Sequence, residues 1–249
     1  MSINIKKGLF LFSTFMLSIT APSFAEITNM QINAETSINM KGNNATINSN
    51  ILYGNDKVRM ENEISGNKNI PANMGKSIMI FDTKKRVGYM MTPQVKSAIK
   101  MDMEQLEKMQ SKMGSASPNL NLSMMSDPGK MKEEFKKRGA KMVGAETVLG
   151  YLCDIWQMSE NMPLSQGGKI ENVSMKFWLS HKLNIPLKME MASASQGKFL
   201  SMKTTSIKTD LKTSASSFEV PKDYKVTDMQ QMLNQAMNQM KNNKQIQGK

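Results

Sequence analysis

MVGAETVLGYLCDIWQM, residues Met142 to Met158, is the stretch whose reading decides the fold. Gly150 divides it into two extended halves. In the second half Tyr151, Cys153 and Ile155 alternate with Leu152, Trp156 and Met158, so apolar side chains fall on both faces of a strand. A strand that is apolar on both faces needs cover on both sides. Val173–Ser180 (VSMKFWLS) and Ile185–Met191 (IPLKMEM) carry the same two-sided signal and are the natural partners. The expected architecture is mainly β (α+β): a strongly curved antiparallel sheet, or half-open barrel, with inserted helices and a C-terminal helix.

Outward from this stretch, the N-terminal half repeats the period of two. Met30, Ile32, Ala34, Thr36, Ile38 and Met40 alternate with Asn29, Gln31, Asn33, Glu35, Ser37 and Asn39, giving a strand with one dry face. Turns at 41–44 and 54–56 lead into strands at 45–53 and 57–64, a meander. Ser77–Asp82 and Arg86–Met91 flank Thr83-Lys84-Lys85 as a further hairpin. From Gln94 the spacing shifts towards 3.6, with Ile99, Met103, Leu106 and Met113 on one stripe, which predicts a helix over 97–113. Asp127-Pro128 and Arg138-Gly139 bracket a second, short helix anchored by Met131 and Phe135. The helical insertion 97–138 therefore falls between the fifth and sixth strands. Ser159–Asn172 is polar and reads as a loop, Phe199–Ile207 as a last long strand, and Phe218–Pro221 as an apolar clasp. Thr227 is the expected cap of a C-terminal helix over 228–241, within an amphipathic helix and tail at 226–249. The helix's polar face is Gln and Asn, which favours docking on protein over lipid.

The first 25 residues are expected to be an export signal. Lys6 and Lys7 precede the apolar run Leu9–Ile19, and Ser23-Phe24-Ala25 offers small residues for cleavage near Ala25. The run is short for a bilayer span. The expectation is a periplasmic domain over 26–225, with no transmembrane segment in the mature protein. One cysteine, Cys153, excludes an intrachain disulfide and sits where burial is expected. The net charge of +12 suits an anionic envelope component, whereas export argues against nucleic acid.

No catalytic set emerges. The only histidine, His181, lies in a turn, and no hydrolase elbow, zinc helix or phosphate loop occurs. A Cys153–His181 dyad has no local support, and Glu146 with Asp154 reads as surface charge rather than a working carboxylate pair. No enzyme activity, cofactor or metal is expected. Methionine is abundant, 27 of 249 residues, and pairs such as Met101 with Met103 and Met189 with Met191 have spacings that suit Cu(I). Packing explains the same residues, since Met fills irregular gaps and lines adaptable apolar surfaces.

The segments AKMVGAETVLGYLCDIWQM, MKFWLSHKLNIPLKMEM and SSFEVPKDY resemble an exported bacterial family of uncharacterised function. The matching positions are Gly144, Glu146, Val148, Gly150, Tyr151 and Cys153, then Trp178, Leu179, Ser180, Pro186, Leu187 and Lys188, then Phe218, Val220 and Pro221. That family is similar to the LolA/LolB lipoprotein carriers. The resemblance implies a half-open β-barrel lined by apolar residues, lidded by helices and able to hold a lipid or lipoprotein acyl chain. Trp156, Met158, Phe177, Leu179, Leu187 and Met189 are then the candidate ligand-binding residues. The competing functions are a Met-rich copper or oxidant-response protein and an envelope interaction module.

Overall fold

A computed structural model of the chain describes residues 29–40, 43–54, 56–66, 75–104, 131–164 and 170–232. Twelve strands are hydrogen-bonded in the order β12-β6-β5-β4-β3-β2-β1-β11-β10-β9-β8-β7. They are β1 (Asn29–Met40), β2 (Asn43–Gly54), β3 (Lys57–Ser65), β4 (Lys76–Asp82), β5 (Val87–Thr92) and β6 (Ser97–Asp102), then β7 (Lys141–Val148), β8 (Tyr151–Pro163), β9 (Ile170–Ser180), β10 (Pro186–Ser193), β11 (Gly197–Thr209) and β12 (Lys225–Asp228). The end strands β12 and β7 are not neighbours, so the sheet is unclosed. It is mainly antiparallel, with β12 and β6 a parallel pair. One helix, α1 (Met131–Lys137), precedes β7. This is the mainly β, antiparallel, unclosed class expected from the alternation. In β1 the alternation is realised directly: Met30, Ile32, Ala34, Thr36 and Ile38 are buried while Ser37 and Asn39 are exposed.

The chain divides into two compact units. Among the described residues one comprises 35–45 and 131–205, the other 29–34, 46–104 and 206–232.

In the second unit the meander β3–β6 packs Ile78, Ile80, Met91 and Ala98 around Phe218, with Leu52, Val220 and Tyr224 at the margin. Phe218 ends a 3-10 turn, Ala215–Phe218, whose Ser214 hydroxyl accepts from the Ser216 N–H. Arg59 ties that turn to β3, donating to the Ser217 carbonyl at 3.2 Å while pairing with Glu61 at 2.8 Å. Gly54 is required by close approach. A Cβ there would lie 2.7 Å from Asn29 Oδ1, 2.9 Å from Thr213 Oγ1 and 3.0 Å from Phe218. The Thr213 hydroxyl donates to Asn29 Oδ1 at that spot, so any larger residue breaks the clasp.

Three sequence expectations are corrected. Residues 97–102 are a strand rather than the start of a helix: a tight turn at Pro93–Val95 and left-handed Lys96 (φ 47°) fold the chain back. β6 then pairs with β5 from Thr92↔Ser97 to Val87↔Asp102. The insertion thus follows the sixth strand, not the fifth. Helical residues begin only at Met103, where the Asp102 carboxylate accepts the Glu104 N–H, and the rest of the predicted helix lies outside the described residues. Secondly, 159–163 and 170–172 extend β8 and β9 instead of forming a loop, because the backbone ladder continues from Ser159↔Ser174 to Pro163↔Ile170 whatever the polarity of the side chains. Thirdly, Thr227 lies within β12, opposite Ile99. The helix that follows is capped by Asp228, whose carboxylate accepts from the Gln230 N–H at 2.8 Å. Residues 229–232 are helical, and the remainder of the expected C-terminal helix falls outside the described residues, as does the expected signal.

In the first unit, the chain reversal read at Gly150 is a two-residue hairpin turn. Val148 pairs with Tyr151, and Leu149 (φ 51°) and Gly150 (φ 82°) both occupy the left-handed region. That geometry favours Asn-Gly, and a leucine there is strained as well as half-exposed, at 48%. Leu149→Asn is expected to stabilise the protein by about 0.5–1 kcal/mol, read as a rise in denaturation midpoint at unchanged slope.

Candidate ligand-binding face

Directly opposed residues of antiparallel strands share a sheet face, so the register of β8–β11 assembles the site row by row. Trp156 opposes Phe177, which opposes Met189, which opposes Met202. The next row is Met158, Met175, Met191 and Leu200. On the other side of the tryptophan row, Asp154 opposes Leu179, which opposes Pro186. Five of the six sequence candidates, Trp156, Met158, Phe177, Leu179 and Met189, therefore lie on one face. Leu187 sits beside them at a register shift between Pro186 and Lys188, fully buried. Met175, Met191 and Met202 belong to the same face and were not among the candidates. The signal for Met175 and Met191 was present, two positions along from Phe177 and Met189 on strands already recognised, and Met202 lies on the expected strand Phe199–Ile207.

This face is covered by α1. Phe135 lies with its ring centroid 4.9 Å from that of Phe177 and 6.2 Å from that of Trp156. Met131 and Phe135 are the helix's buried residues. The helix ends as Arg138-Gly139 foretold: Gly139 (φ 75°) donates to the Lys136 carbonyl and Ala140 to that of Phe135, a Schellman ending that satisfies the last turn. The expected start at Asp127-Pro128 lies outside the described residues.

Two ion-pair clusters fasten α1 to β8 on either side of Trp156. Lys132 Nζ lies 3.1 Å from Asp154 Oδ2, and His181 Nε2 lies 2.5 Å from Oδ1 of the same carboxylate. Arg138 reaches Glu160 at 3.4 Å and Glu134 at 3.2 Å. Burial works against the charge on Asp154, but hydrogen bonds from His181 and Lys132 outweigh it and hold the carboxyl below its usual value. An Asp whose native pKa is depressed stabilises fully above its unfolded value, about 4, and loses that contribution as pH falls through the lower native value. Asp154→Asn is therefore expected to lower the thermal midpoint at pH 7, and the gap from wild type is expected to close as pH falls below about 4.

Among the described residues of this face, the indole nitrogen of Trp156 is left over. Trp156 is 6% exposed, and its Nε1 is buried without a hydrogen-bond partner. By contrast Trp178, on the opposite face, donates Nε1 to Glu146 Oε2 at 2.5 Å, with Lys188 Nζ 4.1 Å above its ring and 3.6 Å from the Glu146 carboxylate.

Glu146 opposes Cys153 while Asp154 opposes Ala145, so the two carboxylates lie on opposite faces and do not form a pair. Cys153 is buried, as expected. Its Sγ lies 3.4 Å from the Tyr151 carbonyl, and burial pushes the thiol up to about 11. His181 is exposed and engaged with Asp154. On the face bearing Lys188, a groove of about 200 Å³ is lined by Lys188, Lys198 and Lys203 together with Glu35 and Glu190, a mixed rather than one-sign surface. Among the described residues no helix is long and apolar enough to cross a membrane.

No family model matches the chain, and no curated protein matches it. Solved structures do resemble it. An uncharacterised conserved protein from Thermus thermophilus shares 10% identity over 82% of this chain and 91% of that one, with a TM-score of 0.48. The complex of Pseudomonas aeruginosa MucA and MucB shares 12% identity over 80% of this chain, with a TM-score of 0.42, and the match spans only 58% of that chain. A domain described as an outer membrane lipoprotein-sorting protein, from Vibrio parahaemolyticus, shares 10% identity over 77% of this chain and 89% of that one, with a TM-score of 0.36.

Proposed function

We propose that this chain is a non-enzymatic protein of the bacterial periplasm that holds a lipid, a lipoprotein acyl chain or another apolar ligand against the β8–β11 face, in place of α1. The observation that carries this reading is the composition of that face together with the cover that the described residues give it. Met158, Met175, Met189, Met191 and Met202 surround Trp156 and Phe177, and flexible thioethers adapt to ligands of differing shape. Among the described residues the cover is a seven-residue helix held by two buried side chains and two partly exposed ion-pair clusters. Such pairs contribute about 0–1 kcal/mol each, and burying Met131 and Phe135 about 1.5–3 kcal/mol each. An acyl chain gains about 25 cal/mol per Å² of apolar surface removed from water, so a long chain can replace what α1 supplies.

A second reading, thioether binding of Cu(I), is favoured by the cross-strand row Met158, Met175 and Met191. Native mass spectrometry of protein purified gently from the periplasm separates the two. A retained lipid mass, or uptake of added lysolipid, is expected. A bare polypeptide mass unchanged by lysolipid contradicts the lipid reading, and a shift with Cu(I) alone supports the thioether one.

A further inference from the structure

We propose that Trp156 is the polar anchor of the apolar face, its indole N–H donating to the carbonyl oxygen of an acyl ester or amide. The inference rests on the ligand-binding reading above and names the chemical class of ligand. An indole nitrogen is a donor only, and a buried donor with no acceptor is a standing cost that phenylalanine at the same position would not incur. Yet tryptophan stands here, 6% exposed, with Nε1 unpartnered. Among the described residues, those that oppose it or stack on it offer no strong acceptor. Phe177 opposes it on β9, Met142 opposes it on β7, Met158 follows on the same face, and Phe135 lies above. Asp154, two residues away on that face, has one oxygen on His181 and the other on Lys132. Glu160 is held by Arg138.

The same pairings select among acceptors. A free carboxylate brought to Nε1 would be a buried charge needing a cation, but Lys132 and Arg138 are already committed to Asp154 and Glu160. A neutral carbonyl needs no counterion and accepts well from an N–H. The ligand therefore lays its chain along the methionine rows and places its ester or amide carbonyl at the tryptophan.

The test compares palmitoyl lysophosphatidylcholine with its O-hexadecyl ether analogue, which has the same chain length but no carbonyl. Wild type is expected to bind the ester about tenfold more tightly, the worth of one buried hydrogen bond. Trp156→Phe is expected to bind both lipids alike, at the ether's affinity. An ester preference that is equal in wild type and variant overturns the anchor while leaving ligand binding intact. Failure of wild type to bind either lipid removes both the anchor and the reading beneath it. The wild-type protein supplies a readout independent of how the variant folds. The chain has two tryptophans, and the Trp178 N–H is already held by Glu146. The ester, and not the ether, is expected to shift the other indole N–H signal in a nitrogen–proton spectrum. Equal shifts with both lipids contradict the proposal.

Discussion

Phe135→Ala is expected to destabilise the protein by about 3–5 kcal/mol, with most of the loss falling on α1 and the face beneath it. Phe135 is 2% exposed and is the one ring that α1 places against both Phe177 and Trp156. Its removal deletes the transfer free energy of a buried aromatic side chain and leaves a gap over two rings that the sheet cannot close by itself. The ion pairs of Lys132 and Arg138 cannot hold the helix alone, since partly exposed pairs contribute about 1 kcal/mol or less. The expected result is a lower denaturation midpoint, together with fast hydrogen exchange at the amides of 131–140 while β9 and β10 stay protected. A midpoint within about 0.5 kcal/mol of wild type would show that α1 is not seated by this ring.

Phe218→Ala is expected to cost a similar amount, about 3–5 kcal/mol, in the other unit. Phe218 fills the space between Ile78, Ile80, Met91 and Ala98, and its ring also approaches Gly54. Because the 3-10 turn that carries it is fastened by Arg59 to the Ser217 carbonyl, truncation is also expected to loosen that bond. Chemical denaturation followed by hydrogen exchange on 76–102 measures this. Loss of protection on β4–β6 is the expected pattern, and retained protection would place the core of that unit elsewhere. The two substitutions fall in different units, and their effects are expected to add.

Where the sequence was legible, a period could be read without knowing the partner. β1 shows strict alternation, and the reversal at Leu149-Gly150 needs positive φ that glycine provides. The end of α1 was legible for the same kind of reason, because Arg138-Gly139 has one good local solution. Ser97–Asp102 was misread because two periods coincide there. Ile99 and Met103 fit a helical stripe, while Ile99, Met101 and Met103 alternate with Lys100 and Asp102 as in a strand. Pairing with β5 and β12, a long-range fact, settles it. Ser159–Asn172 was misread because backbone pairing there proceeds without apolar side chains to announce it.

The candidate site residues were legible as a set of apolar strand positions but not as one face. Trp156 was among the candidates and Trp178 was not, and the register sends Trp156 to the covered methionine face and Trp178 to Glu146 and Lys188. A one-residue difference in register would have exchanged them. That the cover is Phe135 depends on where α1 comes to rest, which no local pattern encodes.

The most direct test of the central claim is hydrogen exchange on the intact protein with and without saturating palmitoyl lysophosphatidylcholine. If the ligand takes the place of α1 on the β8–β11 face, the amides of 131–140 are expected to exchange faster in its presence while those of 156–158 and 175–179 keep or gain protection. Exchange at 131–140 that is unchanged at saturating lipid would contradict the account and leave α1 as a fixed part of the core.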